Sequence, residues 1–454
     1  MEKFDVLVIG GGPAAITIAK NIGNAKKLGV IRPEDHSMIY CAMPYVIEDI
    51  ISFEKTLKKD ELVTDAGAAL IRGTVKKVNL NKKKVICENN KSYSYDKLII
   101  ATGANPVMPS IEGSEFKEVM TFKTEKDLRK ILAFINKGIK KAVVVGAGAI
   151  GIELAQALNK KNIETHLVDI AEQILPNMMD YGMVENAEEE LIKKGIILHL
   201  KNKVVSIKGH HFVEEVILEK GQVIHFGTLD DCSEGEREDH VAGLVVFAVG
   251  VRPNIDLFKD TELAWGQDGI VINERMETNI EDVYAVGDCA QYSNAVTGKI
   301  SGGKLATNAV PMGKIVAKNI LGEQRVYVGF YNGAATKIGN YFLGGTGLTE
   351  KAAKEFYDVV TGYAELTTAF PVMPSAKKVK LKLIADRKTM KVIGGQVVSG
   401  EPVADKIDLI TMAVQFGIIV DELVYFSYSA QPYQSFFPAN NLLVQAAENI
   451  LKQV

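Results

Sequence analysis

The chain has 454 residues, 47% of them hydrophobic and 24% charged, with 40 glycines and a formal net charge of −3. That length exceeds what one hydrophobic core holds and predicts roughly two to four domains. The near-neutral balance, without a polybasic or polyacidic run, argues against nucleic acid and anionic membrane as partners, and no uncharged run approaches the roughly 18 residues of a spanning helix.

Met1 leads directly into FDVLVIG, with no basic leader and no separate apolar segment, so a cytoplasmic protein is expected. The four cysteines (Cys41, Cys87, Cys232, Cys289) lack the paired spacing of a metal site or a disulfide framework. No metal is expected, and any notable cysteine is notable for its reactivity.

FDVLVIGGGPAAITIAKNI (4–22) predicts a buried strand, a glycine turn and a helix. Gly10, Gly12 and Ala15 fit G-x-G-x-x-A, with Pro13 and Ala14 between them. Small residues there allow a tight turn, backbone approach to a pyrophosphate and close helix–strand packing, while the helix N-terminus faces the phosphates. The next strand ends in VIRPED, which puts Arg32 near its end, with Glu34 and Asp35 slightly late. HSMIYCAMPYVIED (36–49) holds a lone cysteine, Cys41, and the residues from Met43 to Ile50 can start a helix with Pro44 in its first turn.

YDKLIIATGANP (95–106) ends an apolar strand in the small-residue turn Ala101, Thr102, Gly103. KKAVVVGAGAIGIELAQALNKKNIETHLVD (140–169) repeats the first unit about 135 residues on, with Gly146, Gly148 and Gly151 in full pattern around Ile150. Glu153 follows, and Asp169 stands eighteen residues after Gly151, where a ribose 2′-hydroxyl is bound. Ala171 and Glu172 offer no local base for a 2′-phosphate, which favours NADH over NADPH. VVFAVGVRPN (245–254) turns at Gly250, and TNIEDVYAVGDC (278–289) ends at Gly287 and Asp288, the best candidate to bind a polar chain. Two such units indicate an α/β chain with two doubly wound nucleotide-binding domains.

The ordered set VIGGGPA, IIATGANP, VVVGAGAIGIELA, FAVGVRPN and VYAVGDCA resembles the FAD-dependent pyridine nucleotide-disulfide oxidoreductases over residues 1 to about 325. The resemblance implies two Rossmann-like dinucleotide-binding domains of glutathione-reductase-like type plus an α+β C-terminal dimerisation domain. FAD-binding residues would be 1–110 and 252–325, NAD(P)H-binding residues 111–251, and dimerisation residues 326–454. It implies FAD at the Gly10 to Ala15 turn with Asp288 at the ribityl and phosphate region, and NAD(P)H at Gly146 to Gly151. Glu153 would lie near the nicotinamide and Asp169 at the adenosine ribose.

Family members that reduce glutathione disulfide or lipoamide carry two cysteines five apart and a C-terminal His-Pro. Here Val46 stands five after Cys41, and the C-terminal segment reads YFSYSAQPYQSFFPANN. SMIYCAMPYVI instead resembles the single-cysteine branch of coenzyme A-disulfide reductases, persulfide and polysulfide reductases, NADH oxidases and NADH peroxidases. It is most similar to the coenzyme A-disulfide reductase form, which implies a redox thiol at Cys41. The oxidases and peroxidases usually carry a histidine on the first glycine turn, which is GGGPAA here and has none. His36, the near histidine, reads as a polar loop residue.

The coenzyme A reductases carry phosphate-holding arginines at the end of the first helix. This chain has Gly23 and Asn24 there, with Lys20, Lys26 and Lys27 nearby. Tyr433 matches a tyrosine that the family places next to the partner subunit's cysteine, whereas Phe370 replaces its usual companion. Phe436 and Phe437 would line that pocket with apolar surface. No rhodanese-like segment follows residue 454, so sulfur is expected from a free small molecule.

The expectation is a cytoplasmic homodimeric flavoprotein that oxidises NADH and reduces a small disulfide, persulfide or polysulfide through Cys41, with Tyr433 as proton donor. The alternatives are an NADH oxidase that forms a sulfenic acid on Cys41, an NADH-dependent reductase of an electron-carrier protein, and a non-catalytic NADH sensor. Cys87, Cys232 and Cys289 are expected to be inert.

Overall fold

The computed structural model describes residues 1–226 and 243–454. The chain is α/β and divides into two compact units, Met1–Val46 with Ile51–Val107 and Gly250–Phe330, and Ile47–Ile50 with Met108–Val249 and Tyr331–Val454. Among the described residues no helix is long and apolar enough to cross a membrane.

In the first unit β1 (Glu2–Ile9) runs parallel between β2 (Leu28–Arg32) and β3 (Ser92–Ile100). The strand Ala69–Arg72 extends the sheet beyond β2, and Val283–Ala285 lies parallel to β3. Their carboxyl halves, Val6–Ile9 on β1, Val30–Ile31 on β2 and Leu98–Ile100 on β3, read as Val, Ile and Leu because both faces are covered there. Helix α1 (Pro13–Ile22) starts with proline, whose missing N–H costs nothing in a first turn, and buries Ala14, Ala15, Ile18, Ala19 and Ile22. It packs on the helix Ala306–Ile320. Short strands Ser37–Met38 and Leu57–Lys58 pair antiparallel, and the 3₁₀ turn Tyr40–Ala42 leads into α2 (Met43–Ile47).

The second unit holds a five-stranded parallel sheet in the order Val119–Thr121, Gly243–Phe247, β4 (Lys141–Val145), β5 (Glu164–Val168) and Ile197–His199. Helix α3 (Ala149–Lys160) connects β4 to β5, and α4 (Tyr181–Lys193) precedes Ile197–His199. The same unit carries an antiparallel sheet of β6 (Ala334–Ile338), β7 (Tyr341–Gly347), β8 (Val359–Thr367), β9 (Lys378–Asp386) and β10 (Val392–Ser399). Its spatial order is β6-β7-β10-β9-β8, with the helices Ala404–Phe416 and Leu442–Leu451 packed on it.

A buried ion network ties the two sheets of this unit together. Lys382 on β9 is 3% exposed and donates to the Asp180 carboxylate, before α4, at 2.8 Å and to Glu350 at 2.5 Å. Gln396 on β10 donates to Asp180 at 2.7 Å and accepts from the Asp180 backbone N–H at 2.8 Å.

Candidate active site

Parallel pairing puts the carboxyl ends of β1, β2 and β3 on one edge: Ile9 lies opposite Ile31 and Ile100, and Ala285 also lies opposite Ile100. The next residues of each strand therefore converge there, which gathers Gly10, Arg32, Ala101 to Gly103, and Gly287 with Asp288. Gly10 has φ +119°, and a Cβ on it would fall 2.1 Å from the Ala101 carbonyl oxygen, so only glycine permits this crossing. Gly12 precedes α1 with no side-chain cap, and a Cβ built on it meets nothing within 4 Å. Uncapped N–H groups facing open space suit a pyrophosphate, and the first turn thus fits FAD.

Arg32 is 1% exposed and lies across Gly11, where an added Cβ would stand 2.3 Å from the Arg32 Cδ. The Asp60 carboxylate bridges Arg32 to Arg72, and Arg32 also donates to the Asp35 carbonyl at 3.0 Å. Its Nε has no hydrogen-bond partner among the described residues, so this buried donor is left for a ligand at the turn. Thr102 donates to the Asn254 carbonyl at 2.6 Å, and Val251–Pro253 pairs antiparallel with Ala104–Pro106. Gly250 opens that ribbon, its carbonyl accepting from the Val107 N–H at 3.0 Å.

Lys304 is a residue that sequence reasoning missed. Burial pulls its ammonium down, Asp288 pulls it up, and it donates to the Asp268 and Ala290 carbonyls at 2.8 and 2.7 Å. No local motif announces it.

Three cysteines lie within the described residues. Cys41 is exposed, whereas Cys87 and Cys289 are buried; Cys232 lies outside the described residues. Burial pushes both the Cys87 and Cys289 thiols up, and the Cys289 thiol donates to the Val286 carbonyl at 3.3 Å. Cys41 sits in the Tyr40–Ala42 turn, directly before α2, with Val46 buried. Lys58 is the second missed residue. Burial lowers its ammonium, the charge of Cys41 opposes this and Lys20 adds to it. The pairing of Ser37 with Lys58 brings the two segments together, a contact that strand-pair register decides. Lys27, by contrast, is engaged with Glu2 at 3.1 Å.

In the second unit Val145 lies opposite Val168 and Phe247, so Gly146, Asp169 and Ala248 meet at one edge. Gly151 packs so closely that a Cβ would fall 1.8 Å from the Gly146 carbonyl oxygen. Gly148 precedes α3 over open space, and Ile150 is half exposed. The Asp169 carboxylate accepts from the Ala147 and Ala171 backbone N–H groups at 2.5 and 2.7 Å, so it braces the turn. Beyond it lies a cavity of about 370 Å³ lined by Ala171, Glu172, Asp180, Lys201 and Lys351 among others. The local sequence shows no base here, but the fold brings two lysines in, Lys201 with Glu172 at 3.4 Å.

Glu153, in the first turns of α3, accepts from the Thr336 hydroxyl at 2.7 Å. Burial pushes its carboxyl up, Thr336 pulls it down and Glu48 pushes it up again. Tyr433 is 68% exposed on its loop. Phe370 joins that loop through its N–H to the Pro432 carbonyl at 3.0 Å and an edge-to-face contact with Phe437 at 5.4 Å.

Residues 4–313 match the pyridine nucleotide-disulphide oxidoreductase family and residues 334–437 its dimerisation domain. A Methanocaldococcus jannaschii protein named NADH oxidase is 34% identical, with 99% of each chain covered. A Pyrococcus horikoshii NAD(P)H coenzyme A polysulfide/persulfide reductase is 30% identical over 95% of each. The solved structure of an NAD-dependent persulfide reductase from A. fulgidus superposes with a TM-score of 0.89 at 28% identity, covering 99% of this chain and 83% of that one.

Proposed function

The chain belongs to the pyridine nucleotide-disulphide oxidoreductase family, and from that premise we propose that it reduces a small disulfide, persulfide or polysulfide at the expense of NADH, with Cys41 as the redox thiol. It is an FAD-dependent NAD(P)H oxidoreductase with two Rossmann-like domains and an α+β dimerisation domain. The observation that carries the sulfur reading is the exposure contrast among the described cysteines, Cys41 open and Cys87 and Cys289 sealed.

We assign FAD binding to residues 1–110 and 252–325, NAD(P)H binding to 111–251, and dimerisation to 326–454, in a cytoplasmic homodimer. FAD, when bound, takes hydride equivalents from the nicotinamide and delivers two electrons to sulfur. Gly10, Gly12, Pro13, Ala14 and Ala15 form its pyrophosphate cradle; Arg32 serves the adenosine side, and Ala101, Thr102, Gly103, Gly250, Gly287 and Asp288 the rest of the molecule. Gly146, Gly148, Ile150 and Gly151 hold the NADH pyrophosphate, Asp169 accepts from its ribose, and Glu153 stands at the nicotinamide.

Cys41 as thiolate attacks the accessible sulfur of the substrate, the S–S bond breaks, and the departing thiolate takes a proton from Tyr433 of the partner chain. Two electrons, which bound FAD would supply, would break the S–S bond of the Cys41 mixed disulfide, leave Cys41 as thiolate again and release the second half of the substrate, which takes a proton from solvent, as a thiol. Lys58, brought towards the Cys41 turn by strand pairing, supplies a cation near the reacting sulfur, and the apolar surface of Phe370 and Phe437 beside Tyr433 suits a small sulfur substrate.

The second reading, an NADH oxidase that cycles Cys41 through a sulfenic acid, is favoured by the name of the M. jannaschii relative. Anaerobic NADH consumption with coenzyme A disulfide and with polysulfide, by the wild type and Cys41→Ser, decides between them. Turnover lost in the variant supports the sulfur reading. Equal rates, or activity with oxygen alone, would sink it.

A further inference from the structure

The face that α3 turns towards the C-terminal sheet carries an arrangement that the glycine turn does not require. Glu153 accepts from the Thr336 hydroxyl on β6 at 2.7 Å. One turn later Gln156 uses both ends of its amide, donating to the Lys337 carbonyl at 3.0 Å and accepting from the Gly339 N–H at 2.7 Å. Another turn on, Lys160 pairs with Glu48 at 3.1 Å. Gln156 alone would hold the helix in register on the strand. The Thr336–Glu153 bond therefore does something further: it fixes the carboxyl itself.

Thr336 is suited to that task. It is 7% exposed, its β-branched side chain has few accessible rotamers, and its hydroxyl would be a costly buried donor without Glu153. Glu153 has three side-chain torsions to restrain, and a single short hydrogen bond from a stiff donor restrains them.

We propose that Thr336, a residue of the C-terminal sheet, is a positioning residue for hydride transfer, holding the Glu153 carboxyl in the orientation in which it meets the nicotinamide ring. This rests on the placement of Glu153 at the nicotinamide. It makes the dimerisation domain part of the NADH site and not merely a means of assembly.

The other charged groups on the elements packed against α3 are already engaged. Glu48 pairs with Lys160, Asp49 with Lys161, and Glu164 with Lys141 and His166, while the Lys337 ammonium lies over the Phe342 ring. Among them Glu48 alone acts on the Glu153 carboxyl, and Thr336 opposes it.

The test uses the FAD-loaded protein and NAD⁺, which does not reduce the oxidised enzyme, so that affinity is read apart from turnover. Calorimetric Kd for NAD⁺ is measured across pH for the wild type, Thr336→Val, Thr336→Ser and Glu153→Gln. Thr346→Val serves as a control, since it removes a buried hydroxyl bonded to Thr411 at 2.7 Å in the same sheet. A carboxylate attracts the cationic ring, so binding weakens as pH falls through the Glu153 titration. Because Thr336 holds that titration down, Thr336→Val should raise Kd about tenfold near neutral pH, the scale of one lost hydrogen bond to a charged group. The onset of weakening should also move to higher pH, with Thr346→Val behaving as wild type and Thr336→Ser, which keeps the donor but not the branched carbon that stiffens it, falling between wild type and Thr336→Val.

If Glu153→Gln weakens binding while Thr336→Val changes neither Kd nor the pH profile, the placement of Glu153 stands and the role of Thr336 is refuted. If Glu153→Gln binds as wild type, the placement itself fails and the inference falls with it. Should Thr336→Val not fold, Thr336→Ala, which also removes the donor, must show the same upward shift of the profile or the inference is refuted.

Discussion

Cys41 and Lys58 are seventeen residues apart in sequence and within electrostatic reach in the fold. The Ser37–Lys58 pairing brings the ammonium towards the Cys41 turn, and solvent at the exposed thiol partly screens the charge. Replacing the ammonium by an isosteric apolar chain should therefore slow the reaction of Cys41 with iodoacetamide roughly fivefold, the order expected of one screened charge pair. Stopped labelling followed by peptide mass spectrometry on Lys58→Met measures this, with Cys41→Ser as the blank. An unchanged labelling rate would remove Lys58 from the site. Cys87 and Cys289 should stay unlabelled in the folded protein, because burial both shields them and disfavours their thiolates.

At the level of elements, each glycine turn works because strand and helix approach more closely than any side chain allows. Gly10 and Gly146 both have positive φ, +119° and +113°, and an added Cβ would fall 2.1 and 2.5 Å from the neighbouring strand's carbonyl oxygen. Gly10→Ala should thus move the turn off the carboxyl edge and yield protein without the flavin absorption near 450 nm, while Gly12→Ala, whose Cβ points into open space, should fold and compete only with the bound phosphates. Spectra of the purified proteins distinguish the two, and Gly10→Ala with a full complement of bound flavin would contradict the assignment. The motif was legible because these steric demands restrict the residue type at the turn itself. The Arg32–Asp60–Arg72 cluster was not, since Asp60 arrives from a separate helix-flanking segment.

For the whole molecule, the Lys382 network joins the nucleotide-binding and antiparallel sheets of the second unit. Burial pulls the Lys382 ammonium down, but Asp180, Glu350 and Tyr363 hold it above the ordinary lysine range. Burial likewise pushes Asp180 and Glu350 up, and their bonds to Lys382 and its neighbours bring both below the ordinary carboxylate range. The raised lysine contributes stability that is complete below its unfolded pKa and fades only in strong alkali. The lowered carboxylates contribute stability that is complete above about pH 4 and fades as they protonate below it. Lys382→Met takes the buried ammonium away from Asp180 and Glu350, which are partly buried and keep Gln396 and Lys354 as partners, and should cost about 1–3 kcal/mol. Its melting temperature should fall well below that of the wild type between pH 5 and 9, with the gap narrowing in acid. A gap independent of pH would show that packing, not charge, accounts for the loss.

What the amino-acid sequence determined by itself is local: two strand–turn–helix units, the acid eighteen residues beyond the second, the Gly287-Asp288 turn and the lone Cys41. Each is written in neighbouring residues because the physical requirement, room for a backbone or a donor at a helix start, acts over one turn of chain. Tertiary structure alone decided which distant side chains complete these fragments. Lys58 reaches Cys41 through strand pairing, Thr336 reaches Glu153 across 183 residues, and Lys201 and Lys351 enter the cavity past Asp169. Hydrogen bonds and charges act over a few ångströms of space without regard to separation along the chain, so no spacing rule in the sequence encodes those partners.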